Sequence, residues 1–400
     1  MVHPCGSRAF SYFECNKDVT DSTKADFLSS VGEKTPVSVR FSTVTLGREF
    51  PDEARNPRGF AIKFYTMEGK CDIVGLNFFV MTFYRLQADL QQPVFFCRDP
   101  IQGPDVIRSQ SHNPQNFFFD WDALFDLLAN TPEANHASLM FSVTTAHRSG
   151  CHTFKWVNEQ GKFVYIKYLF LAKHGQKQLT DLEAVRMCSE DPDYLKRDLW
   201  EAIEKGEEIE WTAHVQVMQP HDANPDELGF DPFDVTIVWP RDKFPMKDFG
   251  RLVLNKNQEN FHRDAEQAAF SPSSIVPGIE DSPDPLLQSR MFFYHDAQNQ
   301  FASDPRQLPF YGQSYASLKF DGQMRTDANH AGNKQYAPNS FAHKIRPDVA
   351  EAPYAVNDNI ASRKSHYWHE GKNNDYEQAR QLWAKTMSDQ QRKHTAPPST

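Results

Sequence analysis

HTFKWVNEQGKFVYIKYLFL (152–171) decides the fold. HTFKWV (152–157) and FVYIKYLFL (163–171) are rich in aromatic and β-branched residues, and the NEQG between them is a turn signal. The stretch therefore predicts a β-hairpin of two antiparallel strands. Outward from it, the same reading predicts strands at PVSVRFSTV (36–44), GFAIKFYT (59–66), PVFFCR (93–98), SLMFSVTTA (138–146) and IEWTAHVQVM (209–218). Trp121, Leu124, Phe125 and Leu128 recur at helical spacing within 118–130. Thr180 and Glu183 form a capping-box pattern ahead of a helix to about 188, and DPDYLKRDLWEAIEKG (191–206) reads as another with Gly206 as its stop. Antiparallel strands with inserted helices suit a large barrel of the α+β class better than a parallel sheet.

The chain divides by texture. Residues 1–30 read as an N-terminal arm with one short helical patch, and 31–255 as the β-barrel core with inserted helices. Residues 256–365 are rich in Pro, Asn, Asp, Gln and Gly with little periodicity, as in a segment that wraps something. From 366 to 400 the pattern is helical again, with Tyr376, Ala379, Trp383 and Met387 on one face.

Composition narrows the function classes. With 39% hydrophobic and 24% charged residues, the 400-residue chain is neither disordered nor membrane-like, and no apolar run is long enough to span a bilayer. A net charge of -10 without a basic cluster argues against a general nucleic-acid binder. MVHPCGSRAF lacks the pattern of a secretory signal, and TAPPST is not a peroxisomal address. Six cysteines stand singly, at 5, 15, 71, 97, 151 and 188, which suits reduced thiols in an intracellular compartment, cytoplasmic or peroxisomal. Phe is unusually frequent, 32 residues, enough to fill a barrel core or to line a pocket for a flat aromatic cofactor.

Two local patterns carry chemistry. In RMFFYHDAQ (290–298), Arg290 and Tyr294 lie four apart and share a helix face. A guanidinium beside a phenol favours the phenolate, an anionic oxygen ligand known on haem iron. In PVSVRFSTV, Arg40 and Ser42 share one face of the strand.

VRFSTV (39–44), NPRGFAIKFYT (56–66), PVFFCRDP (93–100), HTFKWVN (152–158), DPDYLKRDL (191–199), FDPFDVTIVWP (230–240), GRLVLNKNQENF (250–261) and EQAAFSPSSIVPGIEDSPDPLLQSRMFFY (266–294) together resemble the haem catalase family. The likeness runs through nearly the whole chain, and 336–371 looks like the fungal small-subunit branch. It implies haem b, an eight-stranded antiparallel β-barrel, a wrapping segment that carries the haem-ligand helix, and a helical C-terminal region. It implies hydrogen peroxide as substrate and decomposition to water and oxygen through high-valent iron. A homotetramer is implied, with neither nucleic acid nor membrane as partner.

Residue by residue, the iron ligand maps to Tyr294, and a relay behind it to Arg290, His152 and Asp284. The catalytic His maps to His3 in VHPCGSRAFSYFE (2–14), its hydrogen-bond partner to Ser42, and a propionate-binding Arg to Arg40. The family's distal Asn falls on Leu76; the adjacent Asn77 is the candidate catalytic amide, although neighbours on a strand face opposite sides. Phe293 is larger than the pattern expects, a second propionate Arg falls on Phe301, and a Phe above the haem falls on Gly103. An insertion at 78–91 and a shortened loop at 142–150 indicate either a reshaped pocket or a mis-spliced gene, and the arm that precedes the catalytic His in the family is absent. Arg197, Val238 and Trp239 match a surface NADPH site, with Arg241 in place of its usual His. The altered distal side also fits a catalase-like oxidase of an organic substrate in fungal secondary metabolism, such as the chanoclavine step of ergot alkaloids. A relic that binds haem poorly is the third reading.

Overall fold

A computed structural model describes residues 3–44, 47–54, 56–77, 94–135, 148–149, 151–173, 181–266, 268–301, 375–389 and 391–392. The hairpin at 152–171 forms as its sequence predicts. Strands β6 (Phe154–Val157) and β7 (Phe163–Ala172) pair antiparallel, with Val157 opposite Phe163. Asn158 builds the turn: its Oδ1 accepts from the N–H groups of Gln160 and Lys162, and Gly161 adopts φ +76°.

Around that hairpin lie β1 (Gly6–Cys15), β2 (Lys34–Thr43), β3 (Arg58–Tyr65), β4 (Lys70–Asn77), β5 (Arg148–Ser149), β8 (Ile209–Met218), β9 (Lys247–Asn257) and β10 (Ile279–Asp281). The sheet order is β10-β6-β7-β5-β4-β3-β2-β1-β9-β8, and β7 also pairs with β8. That extra pairing closes a ring of eight strands, all antiparallel. The expected barrel of the α+β class is therefore present.

Part of the Phe surplus fills the barrel core. Phe13, Phe27, Phe41, Phe60, Phe64, Phe170 and Phe249 are buried there with Trp156 and Trp211. Phe13 meets Phe64 edge-on at 5.4 Å, and Phe41 stacks on Phe60 at 5.9 Å. Each such burial contributes roughly 1.5–3 kcal/mol.

Several expectations change. Residues 6–15, read as part of an arm, form β1 between β2 and β9. Their alternation is masked in the sequence because Arg8 and Phe10 are buried as well as Ala9 and Phe13. β4 and β9 were not anticipated. Residues 94–98 are not a strand: the Phe95 N–H donates to the Val235 carbonyl, and Val94, Phe96 and Cys97 pack with Val106 and Cys151. That apolar run reflects burial in a side cluster, not a place in the sheet. The strand expected at 138–146 and most of the wrapping segment lie outside the described residues.

The helices are α1 (Gly103–Ser109), α2 (Trp121–Asn130), α3 (Asp181–Glu190), α4 (Tyr194–Glu204), α5 (Pro285–Phe301) and α6 (Asp375–Gln381). Asp120 caps α2, but its apolar stripe faces outward, with Trp121 59% and Phe125 62% exposed. Beyond α6 the chain continues as a π-turn over Leu382–Thr386, and Ala379, Leu382 and Met387 are the buried residues there. Gln378 fixes α6 to the body by accepting from the Val238 N–H and donating to the Thr236 carbonyl.

Candidate active site

Helix α5 carries the first half of the site. Asp284 precedes it, and its Oδ1 accepts from the N–H groups of Leu286 and Leu287, the helix's unpaired first-turn donors. Its Oδ2 lies 2.6 Å from His152 Nδ1. One carboxylate thus starts the helix and orients an imidazole from the barrel.

His152 Nε2 lies 2.6 Å from Arg290 Nη1, and Arg290 Nη2 donates to the Tyr294 hydroxyl oxygen at 2.6 Å. A guanidinium only donates, so Nε2 is an acceptor and the ring proton sits on Nδ1, facing Asp284. Burial pushes His152 below the ordinary imidazole range, Asp284 opposes that shift, and the charge of Arg290 adds to it. His152 and Asp284 are fully buried, and Arg290 is 8% exposed. Phe95 lies under the guanidinium, 5.3 Å from its carbon to the ring centre. The four residues assigned to the proximal relay therefore form one hydrogen-bonded chain.

The second half of the site lies where β1 begins. His3 has φ +60°, a left-handed conformation uncommon outside glycine. Three bonds hold it: its N–H donates to the Val44 carbonyl at 2.9 Å, its carbonyl accepts from Arg40 Nη2 at 2.8 Å, and its Nδ1 lies 2.8 Å from Ser42 Oγ. Strain over-determined by its surroundings clusters at functional sites. Arg40 and Ser42 both reach His3, as the alternation of β2 predicts. Burial pushes His3 down to about 3, with the charges of Arg40 and Arg290 adding to the shift. The effect of Arg290 brings the two halves of the site within electrostatic reach of each other.

Arg40 stands directly across β1–β2 from Arg8. Burial first, and the charge of Arg8 second, push Arg40 down to about 10. The Arg8 guanidinium is spent internally, on the Asp264 carbonyl, Ser38 and Tyr65. Arg40 bonds the His3 carbonyl, and among the described residues no carboxylate pairs with it. Sequence reading overlooked Arg8, whose one signal was a lone charge inside an aromatic run.

Asn77 ends β4, and in the β3–β4 register it stands opposite Arg58, whereas Leu76 stands opposite Gly59, which is itself opposite Ser42. Gly103 opens α1, and a side chain there would meet nothing within 4 Å. Phe293 is 52% exposed and meets the Tyr294 ring edge-on at 5.2 Å. Phe301 is the last residue of α5.

The three NADPH candidates have other partners. Arg197 pairs with Asp191 at 2.9 Å, the Val238 N–H is taken by Gln378, and Trp239 is fully buried beside Lys167. The segments 78–91 and 142–147 lie outside the described residues.

The residues present fit a haem. Tyr294 offers an oxygen already held by a cation, Arg40 is a guanidinium with no carboxylate paired to it among the described residues, and His3 is an imidazole held in place. Those are the chemistries that an iron, a propionate and a peroxide proton call for.

Comparison with known proteins agrees with this geometry. The catalase family model matches residues 1–343. A catalase of Methanosarcina barkeri is 41% identical over 407 residues, covering 98% of this chain and 77% of that protein. A fungal catalase crystal structure superposes with a TM-score of 0.83 at 34% identity, covering 98% of this chain and 78% of the other. Catalase A from Saccharomyces cerevisiae gives a TM-score of 0.81 at 35% identity, over 96% and 78% of the two chains. With the barrel closed, the relay assembled and likeness spanning almost its full length, the chain belongs to the catalase family and is a haem oxidoreductase of the catalase type.

Proposed function

We propose that the protein decomposes hydrogen peroxide, two molecules giving two waters and one oxygen. In this reading Tyr294 would ligate the iron of a haem b, Arg290, His152 and Asp284 would hold that ligand, and Arg40 would hold a propionate. His3 and Ser42 are the acid–base pair. The carrying observation is that an imidazole held by Ser42 and a phenol held by a guanidinium belong to one site, with the charge of Arg290 felt at His3. The redox chemistry that oxidises one peroxide and reduces the other is what bound haem iron supplies.

The protein's own part is proton handling and positioning. His3, pushed down to about 3, is neutral across the physiological range and ready to accept a peroxide proton. The same depression makes the protonated ring a strong acid, so it returns the proton to the departing oxygen, which leaves as water. The Ser42 hydroxyl both donates and accepts, so it follows either tautomer of His3. Behind Tyr294, the Asp284–His152 pair fixes Arg290 in one orientation, and its N–H stabilises negative charge on the phenol oxygen.

Purified holoprotein tests the reading. A Soret band with rapid oxygen release on adding peroxide is the expected result; a Soret band without oxygen release contradicts it. A second reading, oxidation of an organic molecule, is favoured by the open space at Gly103 and by Leu76 in register with Gly59 and Ser42. Gly103→Phe separates the two: it leaves oxygen release intact if peroxide is the substrate, and blocks turnover of a bulky molecule if that is the substrate.

An intracellular home is supported by six cysteines spaced singly along the chain, with no CxxC pair. Among the described residues no helix is long and apolar enough to cross a membrane. A homo-oligomer is supported by the exposed aromatic cluster of Phe117, Phe118, Trp121 and Phe125.

A further inference from the structure

We infer that Gly59 is a positioning residue for the His3–Ser42 pair: its missing side chain leaves the space the hydrogen bond occupies. The inference rests on the acid–base role proposed for His3. Gly59 stands directly opposite Ser42 in the β2–β3 register, on the sheet face that meets His3. A Cβ built there would lie 2.5 Å from His3 Nδ1, 2.5 Å from Ser42 Oγ and 2.6 Å from His3 Cε1. Both ends of the 2.8 Å bond therefore press on one point above the glycine.

Strand glycines weaken a sheet, and one often marks the close approach of another group. Here the approaching groups are two side chains. Neither φ nor a backbone collision requires the glycine, because its nearest neighbours are all side-chain atoms. Gly6 is different in kind: a Cβ there would strike the Phe41 carbonyl and the Ser42 backbone, so replacement strains the β1–β2 ladder itself. Gly250 faces both, with the Phe13 ring and the Glu14 carbonyl at its Cβ position. Gly59 alone among the three trades a side chain for the geometry of a reactive pair.

The specific consequence is a barrel that closes and a pair that cannot. A methyl at 59 must push the imidazole or the hydroxyl aside. An imidazole displaced from its buried place also loses the surroundings that hold it far below the ordinary range.

The test uses Gly59→Ala, His3→Ala and the double variant as holoenzymes. In Gly59→Ala the reaction with peroxide is expected to slow by about 10²-fold or more, while the Soret band and thermal midpoint stay near wild type. What activity remains should fall as pH drops through about 6–7, where an ordinary imidazole protonates. In the His3→Ala background, Gly59→Ala should cost nothing further, because no imidazole remains to collide with. A crystal structure of Gly59→Ala decides independently of turnover: His3 Nδ1 and Ser42 Oγ should be out of hydrogen-bond range. If they remain together near 2.8 Å, or if the two substitutions add in full, the inference is overturned. A Gly59→Ala chain that fails to fold while the double variant folds supports it; failure of both overturns it. Wild-type holoenzyme inert to peroxide sinks the proposed function, and the crystal structure still judges Gly59.

Discussion

The two halves of the site are built on opposite plans. Behind Tyr294, charge is matched step by step, from Asp284 through His152 to Arg290 and the phenol, by three contacts of 2.6 Å. Its residues sit on a helix, at a helix cap and at the threshold of a strand, with Asp284, His152 and Arg290 buried and Tyr294 half-buried. Around His3, charge is left unmatched. Among the described residues no carboxylate pairs with Arg40. His3 itself is held in a left-handed conformation by two backbone bonds and one hydroxyl. The contrast teaches a division of labour: the compensated side holds a ligand still, and the uncompensated side waits for an anion and a proton.

The largest expected effect breaks the compensated side. Tyr294→Phe removes the oxygen that Arg290 holds and should abolish nearly all haem retention, read as Soret absorbance per chain. Retention of an unchanged spectrum means another residue ligates the iron.

A smaller effect probes a buried carboxyl elsewhere in the barrel. Burial pushes Glu53 up to about 7 from the usual carboxylate range. A folded value above the unfolded one means stability present at low pH, lost as pH rises from about 4.5 through 7. Glu53→Gln removes that loss, on the order of 2 kcal/mol. Between pH 5 and 8 the wild-type thermal midpoint should therefore fall relative to Glu53→Gln. Parallel midpoints contradict the unpartnered charge. The smallest effect sharpens the boundary of the site: Asn77→Ala should change peroxide turnover by less than about tenfold, well below the loss from a true acid–base group. A larger loss puts Asn77 on the face with Ser42.

The proximal half could be read from the chain because its geometry is local or motif-bound. Arg290 and Tyr294 are one helical turn apart, so spacing alone placed them together. Arg40 and Ser42 followed from strand alternation in the same way. The distal half depends on register between strands distant in sequence, which composition does not show. The pairing of Leu76 with Gly59, and of Gly59 with Ser42, brought Gly59 into the site. β1 was hidden for a related reason: with both faces covered, a strand loses the alternation that announces it. The run at 94–98 misled in the opposite direction, since burial in a side cluster imitates a central strand.

The central claim is that His3 handles the peroxide proton opposite the Tyr294 relay. Initial oxygen release per haem, measured side by side for wild type and His3→Ala, tests it most directly. The account predicts a loss of about 10²–10⁴-fold in His3→Ala with the Soret band preserved. Equal rates from the two holoenzymes would contradict it.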